Sequence, residues 1–353
     1  MNRPEESHAH RNHNFDLLRI LFATLVILAH AYVLGGKYPD LLVRYTHTQY
    51  NLGSLAVSGF FLLSGFLIVQ SWSRDPDIVD YAWKRLLRIV PGYLVACVLS
   101  TVVIGLLAPG VSHFFHHFNH HFPESILLFG QPSAPAVFPH SIFENQIDNS
   151  LWTIPYELRC YLLVVVLGIC GLLQRRWPVV ILLVISLFLM ADPGVLGTHW
   201  HKIYFLTGEP WADARLLATF LVGVCFYLFR NHIVFQTSFA VVAAILLIGI
   251  LCFLPRYFEP AAVTLGAYLL FYAGDRMPFQ RTAWIKRMPD ISYGVYLYGW
   301  PIEALWLWYR HTSEWITFLA ATMLAYFVGW LSWRYVERPM LKLKRRPSAP
   351  LPA

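Results

Sequence analysis

The sequence predicts an all-α polytopic integral membrane protein with about ten transmembrane helices and both termini on the cytoplasmic side. Three observations carry that reading. Of the 353 residues, 57% are hydrophobic and only 13% charged, with a mean hydropathy of +0.50, whereas a soluble domain usually carries about a quarter charged residues. Several uncharged runs reach the roughly 20 residues that a helix needs to cross a bilayer. The basic residues also fall on alternate connections rather than evenly.

In chain order, the apolar windows lie near 15–34, 52–72, 87–108, 151–173, 177–191, 211–229, 234–254, 258–274, 290–309 and 315–336. The windows at 177–191 and 258–274 are short for a full crossing. The polar start, MNRPEESHAHRNHNFD, leads into a full-length first span rather than a short signal peptide. With that start inside, the inner segments hold Arg3, Arg11, Arg19, Arg74, Lys84, Arg85, Arg88, Arg175, Arg176, Arg230, Arg276, Arg281, Lys286 and Arg287, and the C-terminal region adds Arg334, Arg338, Lys342, Lys344, Arg345 and Arg346. Those are twenty of the 27 basic residues. The outer loops hold Lys37, Arg44, Lys202, Arg256 and Arg310, while Arg159 and Arg215 lie within spans. An excess of that size sets the orientation. It also accounts for the net charge of +7 without nucleic acid as a partner.

Residues 1–340 therefore read as a single transmembrane domain, and 341–353 as a short basic cytoplasmic tail. A long external loop, about 109–150, has no Lys or Arg but contains the histidine run HFFHHFNHHF. No neighbouring Cys or carboxylate completes a closed metal site there, so no metal is expected. Cys97, Cys160, Cys170, Cys225 and Cys252 all fall in apolar runs without a CxxC, and read as small core residues.

Within the spans, a few polar residues stand out. DLLRILFATLVILAH, from Asp16 to His30, separates Arg19 and His30 by eleven residues. Three turns put them on one helix face about 16 Å apart along the axis. Arg19 is expected at the inner interface and His30 near or beyond the midplane, where an ionisable group is expensive and usually faces a polar cavity. The simpler reading makes His30 a hydrogen-bond partner of another helix, or an outer-interface residue, with Asp16 an interfacial partner for Arg19.

DYAWKRLLRIVPGY brings Arg85 and Arg88 to one face, and guanidinium groups suit phosphate; inside-positive anchoring is the plainer account. SGFFLLSGFLI supplies Gly59, Ser64 and Gly65, small enough for close helix approach in lipid. NSLWTIPYELRCYL carries Glu157 and Arg159 into a span, on different sides of the helix. Trp152, Tyr156 and Tyr161 beside them suit a sugar-like ligand. Glu157 either pairs with another helix, Arg215 being one candidate, or orients a catalytic histidine.

Together these segments resemble the membrane-bound acyltransferase family 3, over about Phe15 to Pro339. The carrying pieces are Asp16-x-x-Arg19-x10-His30, GFFLLSGFLI, KRLLRIVPGY, SLWTIPYELRCYLL, ISYGVYLYGWPI and VERPM, in family order. Many members have a second histidine in the ISY block, where this chain has Gly299, so no role of that histidine carries over. The resemblance implies a cytoplasmic acetyl-CoA or other acyl-CoA donor and an extracytoplasmic glycan acceptor, in a bacterial inner membrane and alongside polysaccharide-assembly proteins. On physical grounds, donor binding in that setting falls to Arg19, Arg85 and Arg88, general-base chemistry to His30 with Glu157 or another buried acid orienting it, and acceptor contact to Trp152, Tyr156 and Arg159. Asp16, Ser64 and Arg215 would support these groups. A polytopic transporter or flippase of a polysaccharide precursor is the alternative from another class.

Overall fold

The computed structural model describes residues 13–36, 40–46, 50–107, 132–133, 137–192, 210–276 and 288–344. Among them stand ten helices of fifteen or more residues, one in each apolar window. They are α1 His13–Leu34, α2 Leu52–Arg74, α3 Ile78–Leu107, α4 Ile154–Ile169 and α5 Trp177–Ala191, followed by α6 Pro210–Leu228, α7 Thr237–Phe253, α8 Phe258–Arg276, α9 Ser292–Arg310 and α10 Glu314–Ser332. No strand occurs among the described residues beyond an isolated bridge between Ser133 and Gln146. The histidine run lies outside the described residues.

Six helices are long and apolar enough to cross a membrane: α1, α2, α3, α4 with the turn before it, α6, and α10 with the turns after it. Helices α5 and α7, with 15 and 17 residues, reach only about 22–26 Å at 1.5 Å per residue. Helices α8 and α9 have 19 residues each but are more polar. Helix α9 carries Tyr293, Tyr296, Tyr298 and Glu303, and 12 of its 19 residues are buried. A helix that polar is placed at the centre of the bundle rather than against lipid.

Local chemistry sets several boundaries. Asn51 caps α2, its Oδ1 accepting from the Ser54 N–H at 2.6 Å. Gly171, at φ +68°, ends the chain leaving α4 in the left-handed region that glycine adopts without cost. Helix α3 begins at Ile78, nine residues before the expected boundary. Asp80, Lys84, Arg85 and Arg88 therefore ride on its opening turns, and Lys84 pairs with Asp80 one turn back.

The tightest crossing joins α2 and α6. A Cβ on Gly65 would lie 2.1 Å from the Phe220 carbonyl oxygen, and one on Gly223 would lie 2.1 Å from that of Leu62. Each helix therefore presents bare backbone to the other, the geometry small residues provide in lipid. Gly294 and Gly329 do the same for α9 and α10, at 2.8 Å. Helix α1 packs between α2, α9 and α10. The cysteines divide: Cys97 and Cys160 are buried and Cys225 is half-buried, but Cys170 and Cys252 are exposed. The core reading fails for the last two, because they sit at helix ends on the outer surface of the bundle.

Candidate functional site

A cavity of about 760 Å³ opens among the starts of α1, α3 and α9 and the ends of α2, α6, α8 and α10. One bundle end thus collects the starts of some helices and the ends of their neighbours, as in an up-and-down arrangement. Arg19, Arg85 and Arg88 all line this cavity, with Arg74, Arg230 and Lys344 beside them.

Asp290, directly before α9, is the hub of the basic group. Its Oδ2 accepts from Arg88 Nη2 at 2.7 Å and meets Arg19 Nη1 at 3.5 Å. Its Oδ1 accepts from the Ser292 hydroxyl at 2.5 Å. Arg88 also reaches Glu337 Oε2 at 3.5 Å, so two carboxylates hold this guanidinium. Arg85 is held differently: Nη2 donates to Ser71 Oγ at 3.0 Å, and the guanidinium lies 5.6 Å from the Tyr81 ring centre. Among the described residues, no carboxylate pairs with Arg85, and its buried Nε has no hydrogen-bond partner. Burial, then the positive charges of Arg85, Arg88 and Lys84, push the Lys344 ammonium down to about 8. Arg85, Arg88 and Lys84 thus add to burial in disfavouring one more positive charge at this mouth, a setting that favours an anionic ligand.

Deeper in, Glu157 and Tyr161 of α4 meet Ser64 of α2. Tyr161 donates to Glu157, and Ser64 lies 3.4 Å from Glu157 and 3.2 Å from Tyr161. Thr153 and Tyr296 close the deep end, their hydroxyls 2.7 Å apart. Tyr296 donates to the Ser150 carbonyl at 2.6 Å. Asp148 caps that turn by accepting from Ser150. Burial raises its carboxyl to about 8 against the hydrogen bonds from Ser150 and Ser100, which lower it.

His30 is not among the residues lining the cavity. It stands further along α1, against α9. Its Nδ1 is 3.4 Å from Oε2 of the fully buried Glu303, and the Trp300 ring meets it edge-on at 4.8 Å. Trp300 is roofed by Val137, Phe138 and Ile147. The acid facing His30 is therefore Glu303 and not Glu157, which bonds to Tyr161 and Ser64 instead.

One other expected pairing separates. Arg215 pairs with Glu259 on α8 at 2.5 Å, which corrects the pairing with Glu157: Arg215 faces α8, away from α4. Trp152, Tyr156 and Arg159 do come together. Trp152 and Tyr156 meet edge-on at 5.7 Å, and Arg159 lies 4.7 Å over the Tyr156 ring while bonding Asp213 at 2.9 Å. None of the three lines the cavity that Glu157 faces, which is expected for Arg159, on a different side of α4, but not for Trp152 and Tyr156, which the sequence sets beside Glu157. Asp16 and Ser64 do line it.

Four charged residues of this region were not singled out from sequence. Asp290 stands just before the ISY block, Glu337 inside VERPM and Lys344 in the basic tail, while Glu303 is the lone carboxylate of an apolar span. That last feature alone was a usable signal. Among the described residues, no group of three His, Cys, Asp or Glu side chains could hold a metal.

Comparison with known proteins places this geometry in context. An acyltransferase domain model matches residues 12–334. An O-acetyl transferase of Shigella phage Sf6 is 26% identical over 344 residues, covering 94% of this chain and 97% of the relative. Nodulation protein 10 of Rhizobium leguminosarum bv. viciae is 26% identical over 373 residues, covering 96% of each. Acyltransferase MdmB of Streptomyces mycarofaciens is 27% identical over 342 residues, covering 85% of this chain and 84% of the relative. No solved structure is significantly similar.

Proposed function

The chain belongs to the acyltransferase family whose domain model spans residues 12–334, and from that premise we propose that it transfers an acetyl group from cytoplasmic acyl-CoA to a hydroxyl of an extracytoplasmic glycan. The acceptor class is a surface or exopolysaccharide, an O-antigen or a lipid-linked precursor, and the setting is a bacterial inner membrane with both termini cytoplasmic. The observation that carries the reading is the cavity lined by Arg19, Arg85, Arg88 and Lys344, at one end of the helix that bears His30. The name of the phage relative supports acetyl as the group transferred.

In this reading the basic mouth binds the donor phosphates, which suit guanidinium forks. The buried Arg85 Nε without a partner is a donor atom such a ligand would satisfy. Asp290 keeps Arg19 and Arg88 aimed at the mouth. The donor arm runs along Ser64, Glu157 and Tyr161 toward the outer half, where the acceptor approaches past Trp152, Tyr156 and Arg159. His30 takes the proton of the acceptor hydroxyl as that oxygen attacks the thioester carbonyl. An imidazole is the side chain suited to that step near neutral pH.

The test is purified protein in proteoliposomes with radiolabelled acetyl-CoA and candidate glycans. Label should enter the glycan with wild type and not with His30→Ala, while His30→Ala still binds CoA. Full labelling by His30→Ala would remove the general base, and glycan movement independent of acyl-CoA would favour transport instead.

A further inference from the structure

The cluster on the outer half of α1 and α9 holds several buried polar atoms without hydrogen bonds. Glu303 is fully buried, and neither of its carboxylate oxygens has a hydrogen-bond partner. His30 Nδ1 and Trp300 Nε1 are buried and lack one too. A carboxylate at such depth is costly unless something answers it. Among the described residues, the ionisable group within ion-pair distance is His30, with Nδ1 at 3.4 Å from Oε2. Of the other helices flanking α1, α2 meets it with Gly53 against Ala29 and α10 with Trp315 against Tyr32, the acidic Glu314 standing next to Trp315.

The geometry also distinguishes the two ring nitrogens. Nδ1 is buried and turned to Glu303, whereas the His30 side chain keeps 17% exposure, which leaves Nε2 on the accessible side. Trp300, edge-on at 4.8 Å, limits how the ring can turn. The separation of 3.4 Å is long for a hydrogen bond, as such contacts often are before substrate is bound.

We propose that Glu303 is the positioning residue of the transfer reaction: its carboxylate holds the Nδ1–H side of His30, so that Nε2 presents its lone pair to the acceptor hydroxyl. The inference rests on His30 being the general base. As the hydroxyl oxygen bonds to the thioester carbonyl carbon, its proton passes to Nε2. The carbon–sulfur bond then breaks, and the imidazolium returns that proton to the departing thiolate. Ester and free thiol leave, with no change of oxidation state. Glu303 touches none of the reacting atoms. It fixes the tautomer and orientation of the ring, and its charge balances the imidazolium formed in passing.

The experiment uses the full chain purified in detergent, with [14C]acetyl-CoA as donor and, as acceptor, the glycan fraction extracted from cells lacking the protein. Glu303→Gln should lower kcat by about 100-fold, within the range that general-base catalysis supplies, while KM for acetyl-CoA stays within about twofold. Glu303→Asp keeps the charge and should recover part of kcat. In the His30→Ala background, Glu303→Gln should cost nothing further, because the residue it positions is gone. A Glu303→Gln enzyme with wild-type kcat, beside an inactive His30→Ala, overturns the role of Glu303 and leaves His30 as base. An active His30→Ala overturns the reading beneath it. Where Glu303→Gln fails to accumulate, Glu303→Asp decides: reduced kcat at unchanged KM supports positioning, and wild-type kcat or a raised KM overturns it.

Discussion

Two arginines three residues apart on α3 should answer mutation in opposite ways. Arg88 is clamped by Asp290 at 2.7 Å and Glu337 at 3.5 Å, carboxylates with 9% and 1% side-chain exposure. Arg88→Ala removes the ion-pair partner of Glu337 and leaves Asp290 only the longer contact with Arg19 at 3.5 Å, and breaking a buried pair in this way costs about 3–5 kcal/mol of stability. Arg85 leaves no carboxylate behind; it gives up one bond to Ser71 and a ring contact with Tyr81. What Arg85→Ala removes is a cation of the mouth that, among the described residues, no acid answers. A hydrogen bond to a charged group is worth about 1.5–3 kcal/mol, or about 10- to 150-fold in Kd. Isothermal titration with CoA, paired with thermal unfolding of the same samples, separates the two effects. Arg85→Ala should weaken CoA by that factor with little change in Tm, and Arg88→Ala should lower Tm markedly. An Arg85→Ala protein that binds CoA within about twofold of wild type would refute the assignment of its guanidinium to the donor phosphates.

Other tests address the same end of the molecule and the crossing that shapes it. The Lys344 ammonium titrates near 8 because burial and Arg85, Arg88 and Lys84 disfavour its charge. A polyphosphate brings negative charge and restores it, so CoA binding at pH 8.5 should take up a fraction of a proton, and affinity should fall as pH rises above about 8. Titration in two buffers of different ionisation enthalpy measures this, and uptake that persists in Lys344→Gln would assign it elsewhere. Gly65→Ala and Gly223→Ala each drive a methyl to 2.1 Å from backbone of the other helix. Each should cost about 1–3 kcal/mol, seen as a lower Tm, whereas Gly59→Ala meets only the Phe22 ring and should cost less.

The spatial relations that were legible in the sequence are the local ones. Arg19 and His30 share a helix, so periodicity alone puts them in line, and Glu157 and Arg159 diverge because two residues is about half a turn. Arg85 and Arg88, three residues apart, share a face by the same periodicity, and both line the cavity. What sequence could not pair were contacts between distant helices. Asp290 lies 271 residues from Arg19, and nothing in either segment names the other. Arg215 is one candidate partner for Glu157 by sequence, but it pairs with Glu259. The choice between Glu157 and Glu259 depends on how α6 is rotated, and the α2–α6 crossing at Gly65 and Gly223 sets that rotation. Glu303 was passed over because its neighbours, WPIEALW, read as an apolar run.

Helix α9 explains why the levels of the site stay aligned. It is the helix least suited to lipid, and each level draws on it: Asp290 and Ser292 at its start, Tyr296 at the deep end of the cavity, Trp300 and Glu303 beside His30. Its hydroxyls also tie it to its neighbours. Tyr293 donates to the Ile89 carbonyl of α3 at 2.8 Å, and Tyr296 bridges Thr153 and the Ser150 carbonyl at the start of α4. Hydrocarbon offers no replacement for such hydrogen bonds, and they hold α9 against α3 and the start of α4. Passing an acyl group along a fixed column of side chains requires none of them to break. The polar face of α9 therefore fits the proposed acyl transfer, in which the side chains it supplies stay in place.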